Sequence, residues 1–204
     1  GAALQDYGML MERSQRSAGG FMWDFADACV VRTDKGDSLD CASNQDADGV
    51  VGPYREKTGS YYAIKKIWAP VQIEQESLPE NWGQRLRVEN HFFYTDLSQV
   101  KFSWELINYP GPFDASGQET VVARGAVASP EVAPQASGFL NIALPSGWHD
   151  AQALRISAID PHGREIYTWT LPIRKAAHQA GKIVPAGDSG APVTETTDEY
   201  VLTS

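Results

Sequence analysis

Along residues 2–16 apolar side chains recur with helical spacing. Leu4, Tyr7 and Met11 fall at i, i+3 and i+7, and Leu10 widens the stripe. That spacing predicts an amphipathic helix over residues 2–16 that ends before Gly19. The pattern then changes. Gly19-Gly20 opens the run Phe21-Met22-Trp23-Asp24-Phe25-Ala26-Asp27-Ala28, which is apolar and aromatic with two carboxylates near its close. A run with apolar residues on both faces predicts a buried strand, as expected where helices cover a sheet. Helix, Gly-Gly, strand is the αβ step of an α/β layer, and in barrels of that kind site residues sit where strands end. Trp23 and Asp24 are therefore candidates for lining a site.

Past Val71 the period becomes two. Seven short β-prone segments follow, at 71–74, 85–90, 100–106, 120–124, 138–144, 153–158 and 166–171, separated by turn signals such as Pro110-Gly111, Pro145-Ser146-Gly147 and Pro161-His162-Gly163. Seven alternating strands in about 100 residues predict an immunoglobulin-like β-sandwich, so the fold class is mainly β. Val100, Phe102, Trp104 and Leu106 share one parity, which makes Trp104 a core residue. Phe102, Trp104 and Phe139 all read as buried. From Lys175 onward the chain is loop-like, and Val193-Thr194-Glu195 and Glu199 to Thr203 read as a closing hairpin.

Between the first helix and the sandwich lie the two cysteines. Ala28-Cys29-Val30-Val31-Arg32 is β-prone and Asp34-Lys35-Gly36-Asp37 is turn chemistry. A hairpin would bring Cys29 and Cys41 within reach in an oxidising compartment, while two free thiols in a loop region is the competing reading.

Composition narrows the partners. With 42% hydrophobic residues and mean hydropathy −0.35 there is material for a core, and no run approaches the ~20 apolar residues of a membrane span. A formal charge of −9, from 17 basic and 26 acidic residues, argues against nucleic acid, whose binding rests on basic phosphate contacts. A neutral sugar is compatible. The chain opens inside a helical pattern, so no signal peptide is expected within it.

The Gly19–Phe25 string resembles the last barrel strand of family 2 glycoside hydrolases, the β-galactosidase family, where Gly-Gly-Phe-(Val/Leu/Met)-Trp-Asp/Val-(Trp/Phe) stands at that point. The stretch Asp48-Gly49-Val50-Val51-Gly52-Pro53-Tyr54-Arg55, continuing to Tyr61-Tyr62-Ala63-Ile64-Lys65-Lys66-Ile67-Trp68-Ala69-Pro70-Val71, is similar to the segment with which such enzymes leave the barrel. The resemblance covers roughly residues 1–175. It implies that residues 1–70 end a (β/α)8 catalytic barrel, which typically needs about 250 residues. By the same resemblance residues 71–174 form the sandwich, and residues 175–204 form a linker and the first strands of a following β-sandwich domain. Tyr61, Tyr62, Ile64 and Trp68 would pack an exit helix onto the barrel wall, with Pro70 ending it.

The implied parent is a retaining exo-glycosidase, β-galactosidase-like, acting on terminal β-galactosides. Its chemistry needs two carboxylates about 5–5.5 Å apart. In the family both are glutamates on earlier strands, and neither Glu12, Glu56 nor any sandwich glutamate matches them, so no catalytic residue is expected in this chain. Trp23 would offer an indole face to a sugar ring, with Asp24 turned to the opposite side to hold a neighbouring loop. Asn44 and Asp48 match the family's Asn-His-Ala-Pro-Asp-Gly loop at the pocket mouth, with Gln45 in the histidine's place. In some members a side-chain oxygen of that loop helps hold an alkali cation, which makes Asp48 the candidate metal ligand. A monovalent or divalent cation in the parent enzyme is the one cofactor the resemblance suggests. The expected partners are a carbohydrate substrate and the rest of the parent polypeptide, with homo-oligomerisation left open, and the expected location is periplasmic or secreted. A carbohydrate-binding or adhesion sandwich without catalysis is the competing reading.

Other motifs fail on order or spacing. Gly187-Asp188-Ser189-Gly190 resembles a serine-protease nucleophile loop, but His178 lies eleven residues before Ser189 rather than far upstream with an aspartate between. Asn44 to Gly49 resembles half a calcium loop, yet Arg55 stands where the bidentate glutamate belongs. His91, His149, His162 and His178 have no ligand spacing, and no Gly-rich phosphate loop is present.

Overall fold

The structure, a computed structural model, describes residues 2–43, 45–111, 115, 117–173, 180–181, 193–196 and 199–202. Helix α1 (Ala2–Arg13) is followed by the short hairpin β1 (Val30–Arg32) and β2 (Ser38–Asp40), then helix α2 (Gly59–Ile67). Strands β3 (Val71–Gln72), β4 (Arg85–Asn90), β5 (Lys101–Asn108), β6 (Thr120–Val127), β7 (Ser137–Asn141), β8 (Ala153–Ile159) and β9 (Glu165–Pro172) make the sandwich. Strands β10 (Val193–Thr196) and β11 (Glu199–Leu202) pair antiparallel.

All seven expected sandwich segments form strands, in two antiparallel sheets ordered β3-β4-β7 and β6-β5-β8-β9. This split, first, second and fifth strands against third, fourth, sixth and seventh, is an immunoglobulin-like arrangement. The two inner faces meet in one core: Leu86 and Val88 of β4 and Leu140 of β7 face Phe102, Trp104 and Leu106 of β5, Leu154 and Ile156 of β8, and Trp169 and Leu171 of β9. Each fully buried side chain of this kind contributes roughly 1.5–3 kcal/mol. Trp104 is 6% exposed, as its parity required. Room for it comes from Gly125, its cross-strand partner on β6, where a Cβ would stand 2.8 Å from the indole.

Phe139 departs from expectation. It is 42% exposed, because Leu140 and Ile142 take the inward parity and period two turns Phe139 out. On the outer face the Arg85 guanidinium lies over its ring at 3.6 Å from the centroid.

Asn90, at the end of β4, is 1% exposed and fully satisfied. Its amide donates to the carbonyls of Thr95 and Val132 at 2.9 Å each, and its Oδ1 accepts from Phe92 N–H at 3.0 Å. One side chain thereby fixes the loop leaving β4 onto the segment ahead of β7.

Helix α1 stops at Arg13, three residues short of the predicted end. Ser14 and Ser17 take the chain into local turns, their hydroxyls accepting from Arg16 and Gly19 N–H. Helix α2 ends at Ile67, and Gln72 Nε2 donates to the carbonyls of Lys66, Ile67 and Ala69 at 3.1, 3.3 and 2.8 Å, supplying the partners a helix C-terminus lacks. Helix α2 lies against α1 and β9, with Lys65 paired to Glu165. Tyr62 and Trp68 remain exposed. The Lys65 ammonium holds the Glu165 carboxyl below its ordinary range.

Among the described residues no helix is long and apolar enough to cross a membrane. His178 and the Gly187-Asp188-Ser189-Gly190 motif lie outside the described residues, as does Asn44.

Candidate functional site

The expected buried strand at the start of the site does not form. A strand exists only where a neighbour supplies its hydrogen bonds. Residues 20–23 have none among the described residues, and Phe21, Trp23 and Phe25 are exposed, Trp23 at 83%. Pairing begins at Asp24. Asp24 N–H donates to Asp48 O at 3.4 Å and Val50 N–H to Asp24 O at 3.0 Å. Val51 N–H donates to Phe25 O at 3.0 Å, Asp27 N–H to Val51 O at 3.1 Å and Ala28 N–H to Asp46 O at 3.0 Å. Residues 24–27 thus run parallel to 48–51, with Ala26 bridged to Val51, while Ala28 turns back to Asp46.

This ladder brings Trp23 and Asp48 together: Asp24, next to Trp23 across a cis peptide bond, bonds to Asp48. Both candidate side chains face solvent. The Asp24 carboxylate was expected to hold a neighbouring loop, but it accepts from the adjacent Phe25 N–H at 2.5 Å instead. The loop is held by Asp27, whose Oδ1 accepts Gly49 N–H at 2.8 Å. Sequence reasoning missed Asp27 as a site residue, although it registered the carboxylate as closing the aromatic run. Its signal is the combination of that carboxylate with the Gly of Asp48-Gly49.

Further support comes from behind the loop. Thr58 Oγ1 donates to Val50 O at 2.7 Å, and Val51 forms an antiparallel bridge to Lys57. Glu56 is spent inside its own turn: its carboxylate accepts Tyr54 N–H at 2.9 Å and its carbonyl accepts Gly52 N–H at 2.9 Å.

The segments 24–28 and 46–51 lead into the β1–β2 hairpin, whose base is closed by a Cys29–Cys41 disulfide with Cα atoms 4.2 Å apart. The bridge agrees with the first of the two cysteine readings. Arg32 spans Asp34 at 2.7 Å and Asp40 at 2.8 Å. The Asp40 carboxyl is held below its ordinary range by the Ala42 N–H and then by Arg32.

Asp24, Asp27, Asp46 and Asp48 make the site acidic, yet among the described residues no group of three or more histidine, cysteine or carboxylate side chains converges as metal ligands do.

A concavity of about 230 Å³ lies where α1 meets β4, lined by Glu12, Arg87, Glu89, Asn90, His91, Gln135, Ala136 and Ser137. Its polar groups serve one another. His91 lies between Glu12 at 3.6 Å and Glu89 at 3.2 Å, Arg87 pairs with Glu89 at 2.5 Å, and Gln135 donates to the carbonyls of His91 and Phe92. These contacts join α1 to the sandwich.

No family model matches the chain, and no curated protein matches it. Among solved structures it is similar to Amycolatopsis orientalis exo-chitosanase CsxA in two complexes of single-residue variants with PNP-β-D-glucosamine. One shows 17% identity over 61% of this chain and 13% of that chain, with a TM-score of 0.36; the other shows 18% identity over 63% and 14%, with a TM-score of 0.38. A structure of the exo-β-D-glucosaminidase CsxA with a glucosamine-configured castanospermine and an amino-australine analogue shows 18% identity over 61% of this chain and 13% of that chain, with a TM-score of 0.36. The chain thus spans 13–14% of the length of the structures it matches.

Proposed function

We propose that this chain is part of a retaining exo-glycosidase of the family 2 glycoside hydrolases, β-galactosidase-like, which as a whole hydrolyses terminal β-galactosides. In this reading residues 1–70 belong to the end of its catalytic barrel, 71–174 are an interdomain sandwich, and 175–204 lead into a further β-sandwich domain. One observation carries the reading. The two stretches that resemble the family, Gly19–Phe25 and the one beginning at Asp48, are the two that pair backbone to backbone through Asp24, Asp48 and Val50.

The role of the chain is then to supply a pocket wall. Trp23 presents its indole to the apolar face of a galactose-like ring. Asp48, with Asn44, faces the sugar's polar side, and any alkali cation at Asp48 draws its other ligands from the rest of the protein. Both catalytic carboxylates come from there too, since a retaining hydrolase needs an acid/base and a nucleophile across the glycosidic bond. A periplasmic or secreted location is supported by the Cys29–Cys41 disulfide, which persists in oxidising compartments.

A sandwich that binds carbohydrate without catalysis is the second reading, favoured by Phe93 and Tyr94, exposed side by side after β4. Against it, the outward ring of Phe139 already carries Arg85 on its face.

The test is an assay of residues 1–204 beside the complete gene product on aryl β-galactosides and aryl β-glucosaminides. The segment should turn over neither, and the complete product should cleave the galactoside. Activity in the segment that disappears with Glu56→Gln would overturn the proposal, as would a complete gene with no glutamate-bearing strands ahead of residue 1.

A further inference from the structure

The hairpin β1–β2 has no core of its own. Val30, Val31 and Leu39 are all exposed, no residue of either strand is buried, and the strands pair over three positions, Val30 with Asp40, Val31 with Leu39 and Arg32 with Ser38. A two-stranded hairpin of this kind is marginal in water. Yet both legs of the candidate site run into it. Ala28, bonded to Asp46, directly precedes Cys29, and Asp46 N–H donates to Cys41 O at 3.2 Å. The disulfide therefore sits one residue from the end of the ladder that holds Trp23 near Asp48.

We propose that the Cys29–Cys41 bridge is a positioning clamp for the site: it holds segment 46–51 against segment 24–28 and so sets Asp48 beside Trp23. Its functional meaning rests on the reading of these residues as a pocket wall; its mechanical claim does not. Without the bridge, the bonds of Val51 to Phe25 and Asp27 must close the whole intervening chain rather than the part outside the hairpin. That roughly doubles the loop length, which by itself weakens closure about threefold. Fraying of an unclamped hairpin adds to this loss. Arg32, with its two carboxylates, steadies the hairpin tip, but it lies beyond the bridge and away from the legs.

Amide hydrogen exchange on the 204-residue chain tests the clamp. In the Cys29→Ser/Cys41→Ser double variant, protection at Asp27, Ala28, Val50 and Val51 should fall threefold or more, while the sandwich amides of Val88 and Ile156 keep theirs. In Arg32→Ala, with the bridge intact, the same four amides should change less than twofold. Unchanged protection in the double variant would overturn the clamp. Equal loss in Arg32→Ala would assign the role to the hairpin tip, and loss across the sandwich would make the bridge a global stabiliser. No sugar enters the measurement, so its outcome is separate from whether the wall binds one.

Discussion

Gly49 gives its backbone N–H to the Asp27 carboxylate at 2.8 Å, and a Cβ at position 49 would stand 2.2 Å from the backbone nitrogen of that same Asp27. The approach is closer than any side chain allows, so the residue after Asp48 must be glycine for segments 24–28 and 46–51 to touch. Gly49→Ala should separate them, and the amides of Val50 and Val51 should lose protection while sandwich amides do not. Asp27→Ala should act the same way more gently, since a hydrogen bond to a charged group is worth about 1.5–3 kcal/mol. Full protection at Val51 in Gly49→Ala would contradict the pairing.

Trp23 and Trp104 should separate cleanly in stability. Trp104 lies in the core and Trp23 is 83% exposed. Trp104→Ala should cost about 3–5 kcal/mol in urea unfolding, whereas Trp23→Ala should leave the Tm nearly unchanged. On the proposed glycosidase reading, Trp23→Ala in the complete gene product should lower kcat/KM for a galactoside by on the order of a hundredfold, the signature of lost transition-state binding. A large Tm loss with kcat/KM intact would return Trp23 to the core.

Gly125→Ala should destabilise by roughly 1–3 kcal/mol, because the new methyl would press on the Trp104 indole from a neighbouring strand. Pairing it with Trp104→Phe, which vacates the space, should recover most of the loss. Simple additivity of the two in chemical denaturation would mean that the slot is not shared.

Asn90→Ala should cost about 2–4 kcal/mol by stranding two carbonyls and the Phe92 N–H. The loop from His91 to Asp96 should loosen first in hydrogen exchange. A loss confined below 1 kcal/mol would show that the loop repacks without the amide.

Asp160 ties the β8–β9 turn together. The Arg164 N–H, then the Arg164 guanidinium and the His162 N–H, hold its carboxyl below the ordinary range. A depressed folded-state pKa contributes stability that is complete above the unfolded value of about 3.9 and is lost as pH falls through the folded one. Wild type should therefore exceed Asp160→Asn in stability at neutral pH, with the gap closing below pH about 4. A gap constant down to the acid transition would remove Asp160 from the acid limb.

The sandwich was legible in the chain because period two leaves each strand a single choice of inward face. Val100, Phe102, Trp104 and Leu106 share a parity, and the structure buries all four. The same rule read from Leu140 and Ile142 turns Phe139 outward, although its own alternation reads as buried. The Phe21 to Ala28 run was legible as apolar but not as paired, since hydrophobicity states that a segment favours burial and not which neighbour supplies its hydrogen bonds. That neighbour is segment 46–51, reached across the hairpin, and sequence patterning carries no signal for parallel register at that separation. The cysteine pairing was likewise open until register placed Val30 opposite Asp40, which brings the adjacent Cys29 and Cys41 side by side. Asp27 gained its role only from the fold, because its partner is a backbone N–H exposed by the missing side chain of Gly49. Local periodicity determines which face a residue shows; which atoms meet across the turn of a loop is decided by tertiary closure.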